Sequence, residues 1–184
     1  HIHTSEAFLA LIRSILNKSD NCMFYKSKIE CNEIALPKIN QSRHLQNALN
    51  TKFGINNSEE KQKIVVVQPN PSDILQLRKW PLEYYHELFR KLLVTFINLR
   101  IVITGKIEEE EYGIELATSV NDSRCLNLVG QTSFDELMTL FSMADLLITN
   151  DCGPAHFASL FRLPSVVLFG PDTRALFSPF GGQA

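Results

Sequence analysis

No stretch of the sequence approaches the roughly 20 apolar residues that a bilayer-spanning helix needs. The first residues carry Glu6 and Arg13 where a secretory signal would have an apolar core. Neither sign of charge dominates, since 18 Lys and Arg face 20 Asp and Glu for a net charge of -2. A phosphate-backbone partner calls for clustered basic side chains, so nucleic acid is not an expected partner. Cysteine is sparse: Cys22, Cys31, Cys125 and Cys152 show no C-x-x-C spacing and no local His completes a zinc pattern. Reduced thiols in a cytosol are the simplest reading. The candidate loops also lack the clustered carboxylates of a Mg²⁺ or Mn²⁺ site, so no metal and no cofactor is expected. Finally, the chain opens at His1 without an initiator Met, and its natural form is expected to start earlier.

What is present is the texture of a soluble globular protein, 45% hydrophobic and 21% charged. Up to about Asn57 no strand pattern is strong enough to build a sheet. Phe8, Leu11, Ile12, Ile15 and Leu16 recur at helical spacing behind Thr4 and Ser5, and Leu45, Ala48, Leu49 and Phe53 do so behind Ser42, with Gly54 as a left-handed stop. From Lys63 onward short β-branched runs alternate with amphipathic helices, the pattern of βαβ units. The expected strands are Ile64–Gln68, Arg100–Thr104, Leu126–Val129, Leu146–Thr149 and Val166–Phe169, apolar enough to be covered on both faces. Pro81 suits the start of a helix whose stripe is Leu82, Tyr85, Phe89, Leu92, Leu93 and Phe96, and Ser133 with Glu136 forms a capping box for another. The expected fold is α/β, a Rossmann-like, doubly wound parallel sheet over residues 59–184, with residues 1–58 a helical linker or the remnant of another domain.

In such sheets ligands bind beyond the carboxyl ends of the strands, which directs attention to the loops Pro69–Pro81, Gly105–Glu111, Gly130–Ser133 and Asn150–His156. The last is the most informative. Gly153 lets a backbone approach a ligand closely, Pro154 fits a first helical turn, and the free N–H groups there suit an anion such as a diphosphate. On local chemistry alone two readings of this turn stand: Asp151 and His156 meet a ligand, or Asp151 caps the helix and His156 is a surface residue. Trp80 either stacks on a base or packs the start of its helix. Phe157, Leu160 and Phe161 are spaced for core packing and receive no ligand role.

The segment Asn150-Asp151-Cys152-Gly153-Pro154-Ala155-His156, followed by Leu168-Phe169-Gly170-Pro171, resembles the heptosyltransferase family of glycosyltransferases, glycosyltransferase family 9, whose second domain carries N-D-[ST]-G-P-x-H and a later F-G-P. Three further blocks agree in order. Gln68-Pro69-Asn70-Pro71 with Arg78-Lys79-Trp80-Pro81 is similar to the family's N-P loop and its basic pair before W-P. Thr104-Gly105 with the following glutamates resembles T-G-G-x-x-[DE], and Leu128 to Ser133 resembles L-x-G-x-T-S.

The resemblance implies the second, donor-binding domain of a two-domain GT-B glycosyltransferase. Carried over by position, the Cys152 and Gly153 backbone and His156 would hold the diphosphate, Asp151 would meet sugar hydroxyls, Arg78 would stand for a phosphate-binding Lys, and Glu108 would accept from ribose hydroxyls, with Glu109, Glu110 and Glu111 blurring the register. Asp73 departs from the pattern as a carboxylate beside a diphosphate. Cys152 replaces a Ser or Thr, and a helix N-terminus could lower its thiol pKa. The implied reaction is metal-free, inverting transfer from a nucleotide diphospho-sugar, such as ADP-heptose, to a saccharide or glycolipid acceptor in lipopolysaccharide or other surface-glycan synthesis. The implied setting is cytoplasmic, with peripheral contact to the inner membrane through the full-length protein. The general base is expected from a missing first domain, so the chain alone should be inactive. The rival expectation is a non-catalytic nucleotide-sugar-binding module.

Overall fold

The β-branched runs find one another as neighbours in a single sheet. A computed structural model of the chain describes residues 43–54, 62–69 and 79–170. Five strands, β1 (Lys63–Gln68), β2 (Leu99–Ile103), β3 (Cys125–Asn127), β4 (Leu146–Asn150) and β5 (Ser165–Leu168), lie in the order β3-β2-β1-β4-β5. All four pairings are parallel, with Val66 of the central strand between Val102 and Leu147.

Alternation along the strands sorts the core into two layers, because successive side chains leave opposite faces. Ile64, Val66, Val102 and Leu147 face one side, where α1 (Arg43–Phe53) contributes Leu49, α4 (Phe134–Met143) contributes Met138, Leu140 and Phe141, and α5 (Gly153–Ser159) contributes Ala158. Val65, Val67, Ile101, Ile103 and Ile148 face the other, under Tyr85, Phe89 and Leu93 of α2 (Leu82–Thr95) and Leu116 of α3 (Glu110–Val120). Each such side chain, fully buried, contributes about 1.5–3 kcal/mol of transfer free energy. A sheet covered on both faces explains why its strands read as continuous apolar runs.

The helix signals act as expected where they can be checked. Ser133 Oγ accepts from Glu136 N (3.3 Å) while Ser133 N donates to Glu136 Oε2 (2.7 Å), so the capping box opens α4. Gly54 ends α1 at φ +61°, a conformation that costs a side chain with a Cβ. The helix expected around Phe8–Leu16 lies outside the described residues.

Two expectations need correction. β3 stops at Asn127 rather than running to Val129, because Asn127 Oδ1 accepts from Val129 N (3.1 Å) and turns the chain out of the ladder. Phe96 does not extend the buried stripe of α2: it lies just past the helix, with extended φ and ψ, and is 54% exposed.

The chain leaves β1 toward α2 on one face and leaves β4 toward α5 on the other. The loops therefore part at the carboxyl end of this adjacent pair, and the crevice between them is where a doubly wound sheet receives a ligand.

Candidate functional site

Buried polar side chains gather at that crevice. Gln68, Thr104, Thr149, Asn150 and Asp151 are all buried, and buried polar groups persist only when hydrogen-bonded or when something else completes them. Thr104 Oγ1 donates to Gln68 Oε1 (2.9 Å), and Thr149 Oγ1 lies 3.2 Å from Gln68 O and 3.0 Å from Cys152 Sγ. Asn150 Nδ2 donates to Pro69 O, and Asn150 Oδ1 accepts from Trp80 N (3.3 Å). One side chain of β4 thus grips both ends of the β1–α2 connection. The place of Asn150 in its sequence motif gives no hint of this bracing role.

Above this layer is a cavity of about 410 Å³ with walls from four chain segments. Gln68 supplies the end of β1. Thr104, Gly105, Lys106 and Glu109 come from the loop and 3₁₀ turn (Ile107–Glu109) that follow β2. Thr132, Ser133, Phe134 and Leu137 come from the start of α4, and Cys152, Gly153, Pro154 and Phe157 from the β4–α5 turn. Four of the blocks read from the sequence therefore meet around one space.

The individual residues divide. Cys152 and Gly153 line the cavity. Asp151 is buried directly behind them, and its N–H bridges to Leu168 O of β5 (3.1 Å). His156 is exposed on α5 and is not among the lining residues. Glu108 is likewise exposed and off the wall, whereas Glu109 lines it, its Oε2 accepting from Lys106 N at 2.7 Å. Arg78 and Asp73 lie outside the described residues. The chain is described again from Lys79, whose Nζ sits 3.9 Å from the centroid of the Tyr112 ring.

Other side chains emerge only from the geometry. Lys106 lines the cavity, the one side-chain cation to do so among the described residues. Its signal is available in the sequence, as T-G-K where the family pattern has T-G-G. Phe157, expected in the core, is 37% exposed and meets Phe134 edge to face (centroids 5.3 Å apart) at the cavity wall. Helical spacing does not distinguish a residue facing the core from one facing a cleft. Trp80 instead packs at the start of α2, 4.8 Å from the Tyr85 ring and 5.6 Å from that of Tyr84.

Gly153 is unusual in what surrounds it. A Cβ added there would meet only Phe157 Cε2, at 3.8 Å, an ordinary contact. By contrast, one on Gly113 would lie 2.6 Å from Val129 Cγ2, 2.7 Å from Asn127 Oδ1 and 2.9 Å from Val129 Cβ. The protein's own packing therefore asks for glycine at 113 but not at 153. Behind Gly153, Pro154 has no N–H, and Ala155 N–H donates to Cys152 O (3.1 Å). Among the described residues, the backbone N–H groups of Cys152 and Gly153 make no backbone hydrogen bond outside the helices and strands.

Cys152 is not the acidic thiol that a helix N-terminus suggested. Burial pushes its pKa up to about 11, against the opposing effects of Thr149 and the Ala155 N–H. A thiol held there is protonated at neutral pH and is a poor nucleophile. Among the described residues no three His, Cys, Asp or Glu side chains gather as metal ligands, and no helix is long and apolar enough to cross a membrane.

Comparison with known proteins shows the family and the fold. The family model described as glycosyltransferase family 9 (heptosyltransferase) matches residues 19–184. Lipopolysaccharide heptosyltransferase 2 of Escherichia coli K12 is 29% identical over 110 residues, which is 58% of this chain and 31% of that protein. Lipooligosaccharide heptosyltransferase 2 of Campylobacter jejuni serotype O:6 is 27% identical over 126 residues, 66% of this chain and 38% of that one. The chain thus spans about a third of the length of these curated relatives. Among solved structures, E. coli ADP-heptose lps heptosyltransferase II superposes with a TM-score of 0.68 at 23% identity, covering 83% of this chain and 46% of that one. E. coli heptosyltransferase WaaC with ADP gives 0.59 at 21% identity, covering 73% and 40%. At such identities the structural likeness speaks for the Rossmann-like fold.

Proposed function

The chain belongs to glycosyltransferase family 9, and from that premise we propose that its cavity binds the nucleoside diphosphate portion of a nucleotide-sugar donor. The whole protein then transfers that sugar, a heptose on the pattern of the relatives' names, to a saccharide or glycolipid acceptor in surface-glycan synthesis. One observation carries the reading: Gly153 borders the cavity where the protein itself leaves room for a side chain. A glycine that packing does not demand is accounted for by a ligand that must touch the backbone.

The chemistry follows from charge. In an inverting displacement the acceptor oxygen bonds to the anomeric carbon while the bond from that carbon to the diphosphate breaks. The bonding pair leaves with the diphosphate, and the acceptor proton passes to a general base. The base is assigned to a first domain outside this chain, so we name none. Leaving-group charge grows on the diphosphate, and N–H donors already in position stabilise it without reorganisation. At seven residues α5 has little macrodipole, so the two N–H groups at Cys152 and Gly153 matter more than the helix as a whole.

Arg78 and His156 are assigned to the same diphosphate by their places in the family motif, and Asp151 to sugar hydroxyls. Glu108 holds the ribose position by motif order, but we give that role to Glu109, whose side chain reaches the cavity wall. The structural neighbour WaaC was solved with ADP, which makes adenine the first base to test. Residues 59–184 form the donor domain in this reading, with α1 packed on its sheet through Leu49, and residues 1–58 are a linker to an acceptor domain or a remnant of it.

The test is calorimetric titration of the chain with nucleoside diphosphates, alongside a transfer assay. ADP is expected to bind, with no transfer by this chain alone. Failure to bind any nucleoside diphosphate would overturn the reading. Binding with no transfer even by the full-length protein would favour the non-catalytic module.

A further inference from the structure

Asn150 ends β4 with its main chain paired to Leu168 of β5 and its side chain fully buried. Both ends of its amide are engaged by groups that have only one role. Nδ2 donates to Pro69 O, a carbonyl that can only accept, and Oδ1 accepts from Trp80 N (3.3 Å), which can only donate. The partners therefore fix the orientation of the amide. Pro69 leaves β1 and Trp80 leads into α2, so one side chain holds both ends of the connection that carries Arg78. Trp80 is held a second time by its ring, edge to face with Tyr85 (centroids 4.8 Å apart), and Lys79 before it places Nζ 3.9 Å from the centroid of the Tyr112 ring. Beyond Asn150 the chain runs directly through Asp151 into Cys152 and Gly153, which line the cavity.

We infer that Asn150 is a positioning residue for diphosphate binding: it holds the connection that carries Arg78 in a set place relative to the Cys152–Gly153 backbone, so that the cation and the N–H groups meet one ligand. This rests on the donor-site reading above. The anchor is rigid, because the main chain of Asn150 lies in the β4–β5 ladder and Asp151 N, next along, donates to Leu168 O (3.1 Å). Two residues span at most about 7 Å, so a fixed Trp80 N limits where Arg78 can stand. A segment anchored in advance also loses less conformational freedom when a ligand arrives, and the difference appears as affinity. Asn150 touches neither the cavity nor the ligand in this account and acts through Arg78.

The experiment measures ADP affinity, with UDP as a second nucleoside diphosphate, for the unaltered chain, Arg78→Ala, Asn150→Ser, Asn150→Ala and each Asn150 variant combined with Arg78→Ala, all checked for cooperative thermal unfolding. Both Asn150 variants are neutral, so neither acts on the phosphate charge directly. The Ser Oγ stands where Asn has Cγ, one bond short of both partners. Each variant should weaken ADP binding by about 10-fold, the lower end of what one charge-assisted hydrogen bond is worth. With Arg78 already replaced, the same substitutions should change affinity by less than about 2-fold, because the group they position is gone. A residue that only supports the fold gives the same loss in both backgrounds, and that result would overturn the inference. Unchanged affinity in a folded Asn150 variant would overturn it too. If Asn150→Ala fails to fold, Asn150→Ser decides, and failure of both would make Asn150 a residue of the fold and refute the positioning role. An Arg78→Ala chain that binds ADP as the unaltered chain does removes Arg78 from the site, and the inference with it. If the unaltered chain binds neither ADP nor UDP, it is the donor-site reading itself that fails.

Discussion

Gly153→Val separates a glycine kept for the ligand from one kept for the fold. The added Cβ meets nothing closer than Phe157 Cε2 at 3.8 Å, and position 153 opens α5, where valine is at no helix-propensity disadvantage to glycine. Stability should therefore change by no more than about 0.5 kcal/mol, the usual range for a surface position. Binding should suffer much more. The two valine methyls stand where a diphosphate must approach the Cys152 and Gly153 N–H groups, and losing even one charge-assisted hydrogen bond costs about 1.5–3 kcal/mol. That corresponds to roughly 10–150-fold in Kd, and Gly153→Ala should fall between valine and glycine. Titration calorimetry with ADP, beside a thermal melt of each variant, checks both halves. A valine variant that melts normally and binds ADP like the unaltered chain refutes the argument. So does one that fails to fold, since the glycine would then be structural.

Three further outcomes are expected. His156→Ala and Arg78→Ala should each weaken ADP binding by about 1–3 kcal/mol and AMP binding by less; equal losses for both nucleotides would remove these residues from the diphosphate end. ADP affinity should be unchanged by EDTA in a titration series, and a large loss on chelation would count against metal-free binding. The raised thiol pKa of Cys152 gives a signed pH dependence. The unfolded thiol ionises near 9.0 and the folded one near 11, so its contribution to stability is complete below pH 9 and is lost as pH rises toward 11. Denaturant unfolding across that window should show Cys152→Ser with a shallower decline than the unaltered chain, and identical declines would refute the assignment.

How far the sequence can be read depends on the range of the interactions involved. Strand and helix identities after Lys63 are legible because they rest on periodicity and on local devices such as the Ser133–Glu136 box, as is the end of α1 in the left-handed Gly54. The meeting of the loops is legible as well, since a βαβ series obliges them to converge at the carboxyl ends of the strands. Pattern misleads where a side-chain contact overrides it or where two faces share one spacing. An apolar run to Val129 overextends β3 because the Asn127 side chain ends it, and Phe157 looks like a core residue because helical spacing does not distinguish core from cleft.

By itself, then, the sequence determined the order of elements, the doubly wound class and the family, all of which are written in local pattern and motif. Tertiary structure alone decided which of four consecutive glutamates lines the cavity, that Lys106 joins it, and that Asn150 of β4 ties Pro69 to Trp80. It also decided that the Thr104 hydroxyl bonds the Gln68 side chain and that the Cys152 thiol stays protonated. Each of these depends on distances between side chains of different strands and loops and on the removal of water around them, quantities that exist only after the chain has folded.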